Sequence, residues 1–297
     1  MLLSASALAL ASPGAAAPRD NLVIGSISRN IREEIQTFRP LADYLAPRLG
    51  AAGITGTKIA VVTSADEMAR RLERQEIDLY IDSPFIVAKI ARRTGARPFL
   101  RRWKKGYAEY QSLFVTRRDS GVRTLDDLRG KVIAFDEPFS TSGYLLPKAM
   151  LLALGYRLIE VHHADDQVPP DTIGYVFSMD DVNTMFWVDR GKVVAGVTSP
   201  EPFETFNRKH QGRYVVFERS MHVPRQVVAH RAGLDPAVVA VLEQVLLDME
   251  ADEAGRAALR AFQRTTRFDR FPAGVEATFA PIYALLDFLG REPQPTQ

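Results

Sequence analysis

Apolar and polar positions follow two rhythms along this chain. Short runs rich in Val, Ile, Phe and Tyr predict strands over 22–27, 58–62, 78–81, 112–117, 132–135, 158–162, 173–177, 193–197, 214–218 and 226–230. Between them, residues 32–49, 65–74, 84–93, 144–154 and 182–190 carry the period of helices. This βαβ alternation predicts mainly parallel sheets covered by helices on both faces. From residue 235 to 289 the pattern is helical, interrupted at Phe268-Asp269-Arg270-Phe271-Pro272, and no strand is expected there. The last residues, 291–297, hold two prolines and little to bury.

A length of 297 residues exceeds the commonest size of one compact unit, so two lobes are expected. The helical end of the chain completes the first of them. The division expected is 21–115 plus 216–290 for lobe 1 and 116–215 for lobe 2, with crossings near 116–120 and 216–220. Gly121, just past the first crossing, is the candidate pivot.

Composition changes this picture little. Apolar residues make up 46% and charged residues 25%, as in an ordinary globular protein. No apolar run approaches the roughly 20 residues of a membrane span. A net charge of +2 argues against a dedicated nucleic-acid binder. The chain has no cysteine, which removes disulfides, thiol nucleophiles, thiolate metal sites and a lipid-anchoring cysteine. Residues 1–17 are uncharged and rich in Ala and Leu, with Ala15-Ala16-Ala17 resembling a cleavage site, so a secretory signal is expected. They lack the positive start of such signals, and a disordered tail is the alternative.

Chemistry concentrates between residues 119 and 154. After the strand at 132–135 comes Ser140-Thr141-Ser142-Gly143, with Tyr144 opening a helix. The first N–H groups of a helix lack partners, and the helix dipole adds positive potential there. Three hydroxyls and a glycine that admits close approach would make a neutral cradle for an anion with several oxygens. Ordinary N-capping is the competing account, but it explains one hydroxyl rather than three.

Here the chain resembles a known family, the phosphonate-, phosphate- and phosphite-binding components of ABC transporters, often called PhnD-like. The matching segments are Phe38-Arg39-Pro40-Leu41-Ala42-Asp43-Tyr44-Leu45, Ile77-Asp78-Leu79-Tyr80-Ile81-Asp82-Ser83-Pro84 and Tyr110-Gln111-Ser112. They continue through Arg118-Asp119-Ser120-Gly121, Asp127-Leu128-Arg129-Gly130, Ser140-Thr141-Ser142-Gly143-Tyr144 and Gly174-Tyr175-Val176-Phe177-Ser178, with Asn183 and Gly191-Lys192. The resemblance implies a type II periplasmic-binding-protein-like fold, two α/β lobes joined by a two-strand hinge. It implies that Ser140, Thr141, Ser142 and the adjoining amides of the Gly143 turn hold the oxyanion, with a hydroxyl from Tyr110. Asp82 and Ser83 lie at the ligand edge of the first lobe. A small oxyanion ligand, a permease and ATPase at the inner membrane, a monomeric state and a periplasmic location follow from the same resemblance, with no cofactor, metal or catalytic residue.

Two departures affect the rest of the ligand. Val194 stands where aminoalkylphosphonate binders carry an acid for the ligand's ammonium, and Asp66-Glu67 replace a tyrosine after the second strand. Asp180 or Asp181 is a substitute partner for a cation, although acids at a helix start also complement its dipole. Between Lys89 and Arg118 there are ten Lys or Arg and one acid, Glu109, read either as a steering field for anions or as a solvated face. The five histidines form no metal-binding spacing. Trp187 is read as core in preference to ligand-facing. No Gly-x-Ser-x-Gly elbow, phosphate-binding loop or dinucleotide fingerprint is present. Two other roles stay open at this point: a clamp that reports its ligand to a membrane receptor, and an enzyme on the same fold.

Overall fold

The computed structural model describes residues 21–290, so the expected leader at 1–17 and the tail at 291–297 lie outside the described residues. Its strands are β1 (Asn21–Ile27), β2 (Gly56–Val62), β3 (Leu79–Asp82), β4 (Arg97–Lys104), β5 (Glu109–Tyr110), β6 (Leu113–Arg117) and β7 (Val132–Phe135), then β8 (Arg157–Glu160), β9 (Thr172–Phe177), β10 (Ala195–Thr198), β11 (Tyr214–Arg219), β12 (Val223–Pro224), β13 (Gln226–His230) and β14 (Thr265–Asp269). Its α-helices are α1 (Ile31–Leu45), α2 (Ala65–Glu73), α3 (Pro84–Thr94), α4 (Leu146–Ala153), α5 (Asp181–Asp189), α6 (Pro200–Lys209), α7 (Pro236–Leu247), α8 (Glu253–Ala261) and α9 (Val275–Leu289).

The strands form two six-stranded sheets, ordered β14-β4-β13-β3-β1-β2 and β11-β6-β10-β7-β9-β8. Each has a parallel part, β2-β1-β3 in the first and β10-β7-β9-β8 in the second. Every residue of β7 and β10 is buried, as expected of central strands covered on both faces. A buried ion pair, Arg231 to Asp78 at 2.9 Å, ties the ends of β13 and β3 together. Asp78 also accepts the Val23 N–H at 3.0 Å, which fixes β1 beside β3.

Two expectations need correction. The segment after residue 235 does contain a strand, β14, which extends the first sheet by pairing with β4. The crossings also fall earlier and later than expected. β6 and β11 both belong to the second sheet, so 116–120 and 216–220 lie at its edge or within it. The chain passes between sheets at 105–112 and 220–225, where β5 and β12 pair as a short two-stranded link. Ser112 and Ser220 lace the crossings: the Ser112 N–H donates to Ser220 Oγ at 2.8 Å, and the Ser220 N–H to the Ser112 carbonyl at 3.0 Å. Gly121, at φ 82°, turns the chain after β6 inside the second lobe and does not occupy a crossing.

The basic run in lobe 1 is the strand β4, and part of it is core. Arg102 is 1% exposed. Its guanidinium donates to Thr265 Oγ1 at 2.8 Å, the Phe262 carbonyl at 2.9 Å and Gln226 Oε1. Arg101, also buried, bridges Glu109 at 2.7 Å and Asp269 at 2.6 Å. The solvated-face reading therefore fails for this pair, because each buried cation has enough acceptors to offset its lost hydration.

Candidate functional site

The candidate cradle follows β7, in the place where open α/β sheets keep their ligands. The chain leaves the strand at Asp136 and enters a π turn, Thr141–Leu145, that leads directly into α4. Ser140 caps this turn. Its Oγ accepts the Gly143 N–H at 3.1 Å and donates to the Asp136 carboxylate. One of the three hydroxyls is thus used for capping. The N–H groups of Thr141 and Ser142 open the turn and have no partner within it.

Thr141 and Ser142 are buried, and Thr141 Oγ1 makes no hydrogen bond of normal geometry. A buried hydroxyl without a partner is costly unless a ligand or water completes it. Gly143 has a different role from the expected one. A Cβ there would lie 2.3 Å from the Asp136 Cβ and 2.9 Å from its Oδ2. The glycine makes room for the Asp136 side chain, not for a ligand.

Tyr110 reaches the cradle from the link between the lobes. It is 5% exposed, and its hydroxyl faces the Thr141 and Ser142 hydroxyls. Burial raises its pKa, opposed by the Arg225 charge and those two hydroxyls. The Arg225 guanidinium lies 4.5 Å above the Tyr110 ring. Arg225 follows β12 in the second crossing, and its charge is felt by Tyr110, Lys104 and Asp181 alike. Lys104 ends β4 close by. Burial, followed by repulsion from Arg225 and Arg102, brings its pKa down to about 7.

Acids surround these cations. Asp136 is pushed up to about 7, first by burial and then by the Asp181 charge. Asp181 is raised by burial too, but its carboxylate is engaged, accepting from Thr198 Oγ1 at 2.6 Å and from the Ser199 N–H. Asp180 caps α5 by accepting the Val182 and Asn183 N–H groups, the helix-start role weighed above. On the first lobe, Asp82 is raised to about 6, mainly by burial. Ser83 turns both its N–H, at 2.6 Å, and its hydroxyl toward Asp82.

The structure brings Tyr110, Thr141 and Ser142 to one point, with Asp82 nearby. Ser140 and Gly143 shape the turn around that point. Sequence reasoning missed Arg225, Lys104 and Asp136. The first two are separated by 121 positions, which no local motif spans. Asp136 was visible only as the residue after a strand. Val194 packs against the second lobe's core, and Trp187 is half-buried there with the Lys192 ammonium 3.5 Å above its ring. Among the described residues no group of His, Asp or Glu is arranged to hold a metal ion.

Known proteins place these features in context. Residues 24–272 match the family model described as "ABC transporter, phosphonate, periplasmic substrate-binding protein". The solved structure of XAC2383 from Xanthomonas citri bound to ATP is 28% identical, with a TM-score of 0.83, covering 93% of this chain and 100% of that one. PhnD1 from Prochlorococcus marinus in complex with methylphosphonate is 17% identical, with a TM-score of 0.64, covering 92% and 99%. The aliphatic sulphonate binding protein SsuA from Escherichia coli is 15% identical, with a TM-score of 0.52, covering 94% of each chain. The last two show a common fold, the two-lobed type II architecture. With the family match spanning most of its length, the chain belongs to the periplasmic substrate-binding proteins of phosphonate ABC transporters.

Proposed function

We propose that the inter-lobe cleft captures a small tetrahedral oxyanion, a phosphonate, phosphite or phosphate group, for delivery to an ABC permease and its ATPase. One observation carries this reading. The Tyr110, Thr141 and Ser142 hydroxyls converge beneath the Arg225 guanidinium where the crossings meet the cradle turn. Three hydroxyl donors, two open N–H groups and one cation suit an anion with three or four oxygens. XAC2383 with ATP and PhnD1 with methylphosphonate support it, since both ligands present phosphorus oxygens. Residues 1–17 act in this reading as the export signal, and the secreted protein is a monomer.

Closure follows from where the donors sit. Tyr110 and Arg225 belong to the crossings, and Thr141 and Ser142 to the second lobe. An anion that contacts all four gains more in the closed arrangement, so ligand shifts the population toward closure. The test is a melting series with phosphate, phosphite, methylphosphonate and sulfate. A bound anion at about 100 times its Kd adds about 2.7 kcal/mol to the unfolding free energy. No stabilisation by any phosphorus oxyanion would refute the proposal.

A further inference from the structure

We infer that the physiological ligand is an organic phosphate or phosphonate bearing a flat apolar ring, and that the ring occupies the cavity beside the cradle. This rests on the oxyanion reading above and specifies what that anion is attached to. The cavity measures about 770 Å3. A bare tetrahedral oxyanion displaces only a few waters, on the order of 100 Å3. The cavity falls instead within the roughly 300–1,000 Å3 that suits organic ligands.

Its position ties it to the cradle. Pro138, Phe139 and Leu145, which flank Ser140–Tyr144 on both sides, line it from the second lobe. Ile27, Phe85, Ile86 and Leu286 line it from the first. Asp82 lies in its wall and also acts electrostatically on Tyr110, whose hydroxyl faces Thr141 and Ser142. The geometric link is the turn itself: residues on either side of Thr141 and Ser142 form the cavity wall, so a substituent on an anion held there has the cavity beside it.

The walls define the substituent. Phe139 is 47% exposed although it directly precedes the cradle, and the Arg29 guanidinium of the first lobe lies 5.6 Å from its ring centre. A flat ring set against Phe139 would be covered by both lobes at once. Of the four cations in the wall, Arg29, Lys89, Arg92 and Arg93, two are paired with acids. Arg92 is bound to Asp287 at 2.7 Å, and Arg93 to Glu73 at 2.9 Å. Val194 and the engaged Asp181 leave no free carboxylate for an ammonium on the ligand at the positions the family resemblance suggested.

Calorimetry with phenylphosphonate and methylphosphonate tests this on wild type, Phe139→Ala and Ala65→Trp. Ala65 lines the cavity at the start of α2, remote in sequence from every cradle residue. Wild type should bind phenylphosphonate at least about tenfold tighter than methylphosphonate, because the ring buries apolar surface. Both variants should reduce that ratio toward one, and Ala65→Trp should keep the wild-type affinity for methylphosphonate, which also verifies its fold. Equal affinities in wild type would overturn the ring proposal and leave the oxyanion reading standing. A ratio that persists in both variants would also overturn it. Binding of neither compound would overturn both readings.

Discussion

The two faces of the cleft are built differently. The second-lobe face offers neutral donors, the Thr141 and Ser142 hydroxyls and the N–H groups of a π turn, with acids behind them at Asp136 and Asp181. The crossing face offers charge, from Arg225 and Lys104, beside the Tyr110 hydroxyl. Under the proposed function, neutral donors at fixed positions would read where the ligand's oxygens lie. Cations attract any anion and discriminate less. Acids beside the neutral cradle penalise an anion that brings charge without matching geometry. In the proposed reading, shape recognition falls to the second lobe and attraction to the crossings.

Removing the neutral donors should have the largest effect. The double substitution Thr141→Ala, Ser142→Ala deletes two bonds to a charged acceptor, each worth about 1.5–3 kcal/mol. Affinity for phosphorus oxyanions should fall at least about 100-fold by calorimetry. The unliganded protein should lose little stability, because Thr141 Oγ1 makes no internal hydrogen bond of normal geometry and the contact to the Tyr110 hydroxyl is the one given up. A large drop in unliganded stability with affinity retained would assign these hydroxyls to structure instead.

Arg225→Met should weaken binding by about tenfold and flatten its dependence on ionic strength, since it removes charge and keeps length. Ser140→Ala separates capping from binding on the same turn. It loses the bond to the Gly143 N–H, and cap removal costs about 1 kcal/mol of stability. Its effect on affinity should be smaller than that of the Thr141, Ser142 pair. The reverse order would place the anion on Ser140.

The acids behind the cradle give a pH test in the unliganded protein. Asp136 at about 7 and Asp82 at about 6 both hold a proton in the folded state more tightly than an unfolded aspartate, near 3.9. The folded state thus binds more protons between about pH 4 and 7, and stability falls as pH rises through that window. Asp136→Asn should raise the melting temperature at pH 8 and change it little at pH 4. A gain equal at both pH values would mean that Asp136 is not raised.

Most of the scaffold was legible in the sequence, because apolar strands announce themselves. The runs at 132–135 and 226–230 coincide with β7 and β13. β4 was hidden because Arg101, Arg102 and Lys104 occupy a strand that pairs on both sides, and the acceptors of the two arginines come from β14, β13, Glu109 of β5 and the Phe262 carbonyl. β14 was hidden for the complementary reason, since its Thr265 and Asp269 are the groups that satisfy those arginines. The crossings were misplaced because β6 begins within the same apolar run that leaves the first lobe. At the site, Ser140–Gly143 was legible as a motif. The split between capping by Ser140 and an open Thr141 was not, because it depends on where Asp136 packs. Arg225 and Lys104 meet only through the β5–β12 link and the sheet order, which no local pattern encodes.

The smallest effect is expected where the lobes touch through charge. Glu201, at the start of α6, reaches across to Lys105 at 2.6 Å and Arg264 at 3.5 Å. These pairs are partly exposed, and such pairs contribute about 0.2–1 kcal/mol each. The lobes also meet through apolar packing, in which Leu146 and Ala149 of α4 join Phe279 and Ile282 of α9 in one cluster. That packing does not depend on Glu201. Glu201→Gln should therefore shift the balance between open and closed forms by only a few-fold, seen as a slight increase in the radius of gyration without ligand and almost none at saturation. Salt should mimic the substitution in wild type and have no further effect in the variant. A variant that stays open at saturating anion would show that the charge contact holds the clamp shut, and that the hydroxyl cradle alone does not bring the lobes together.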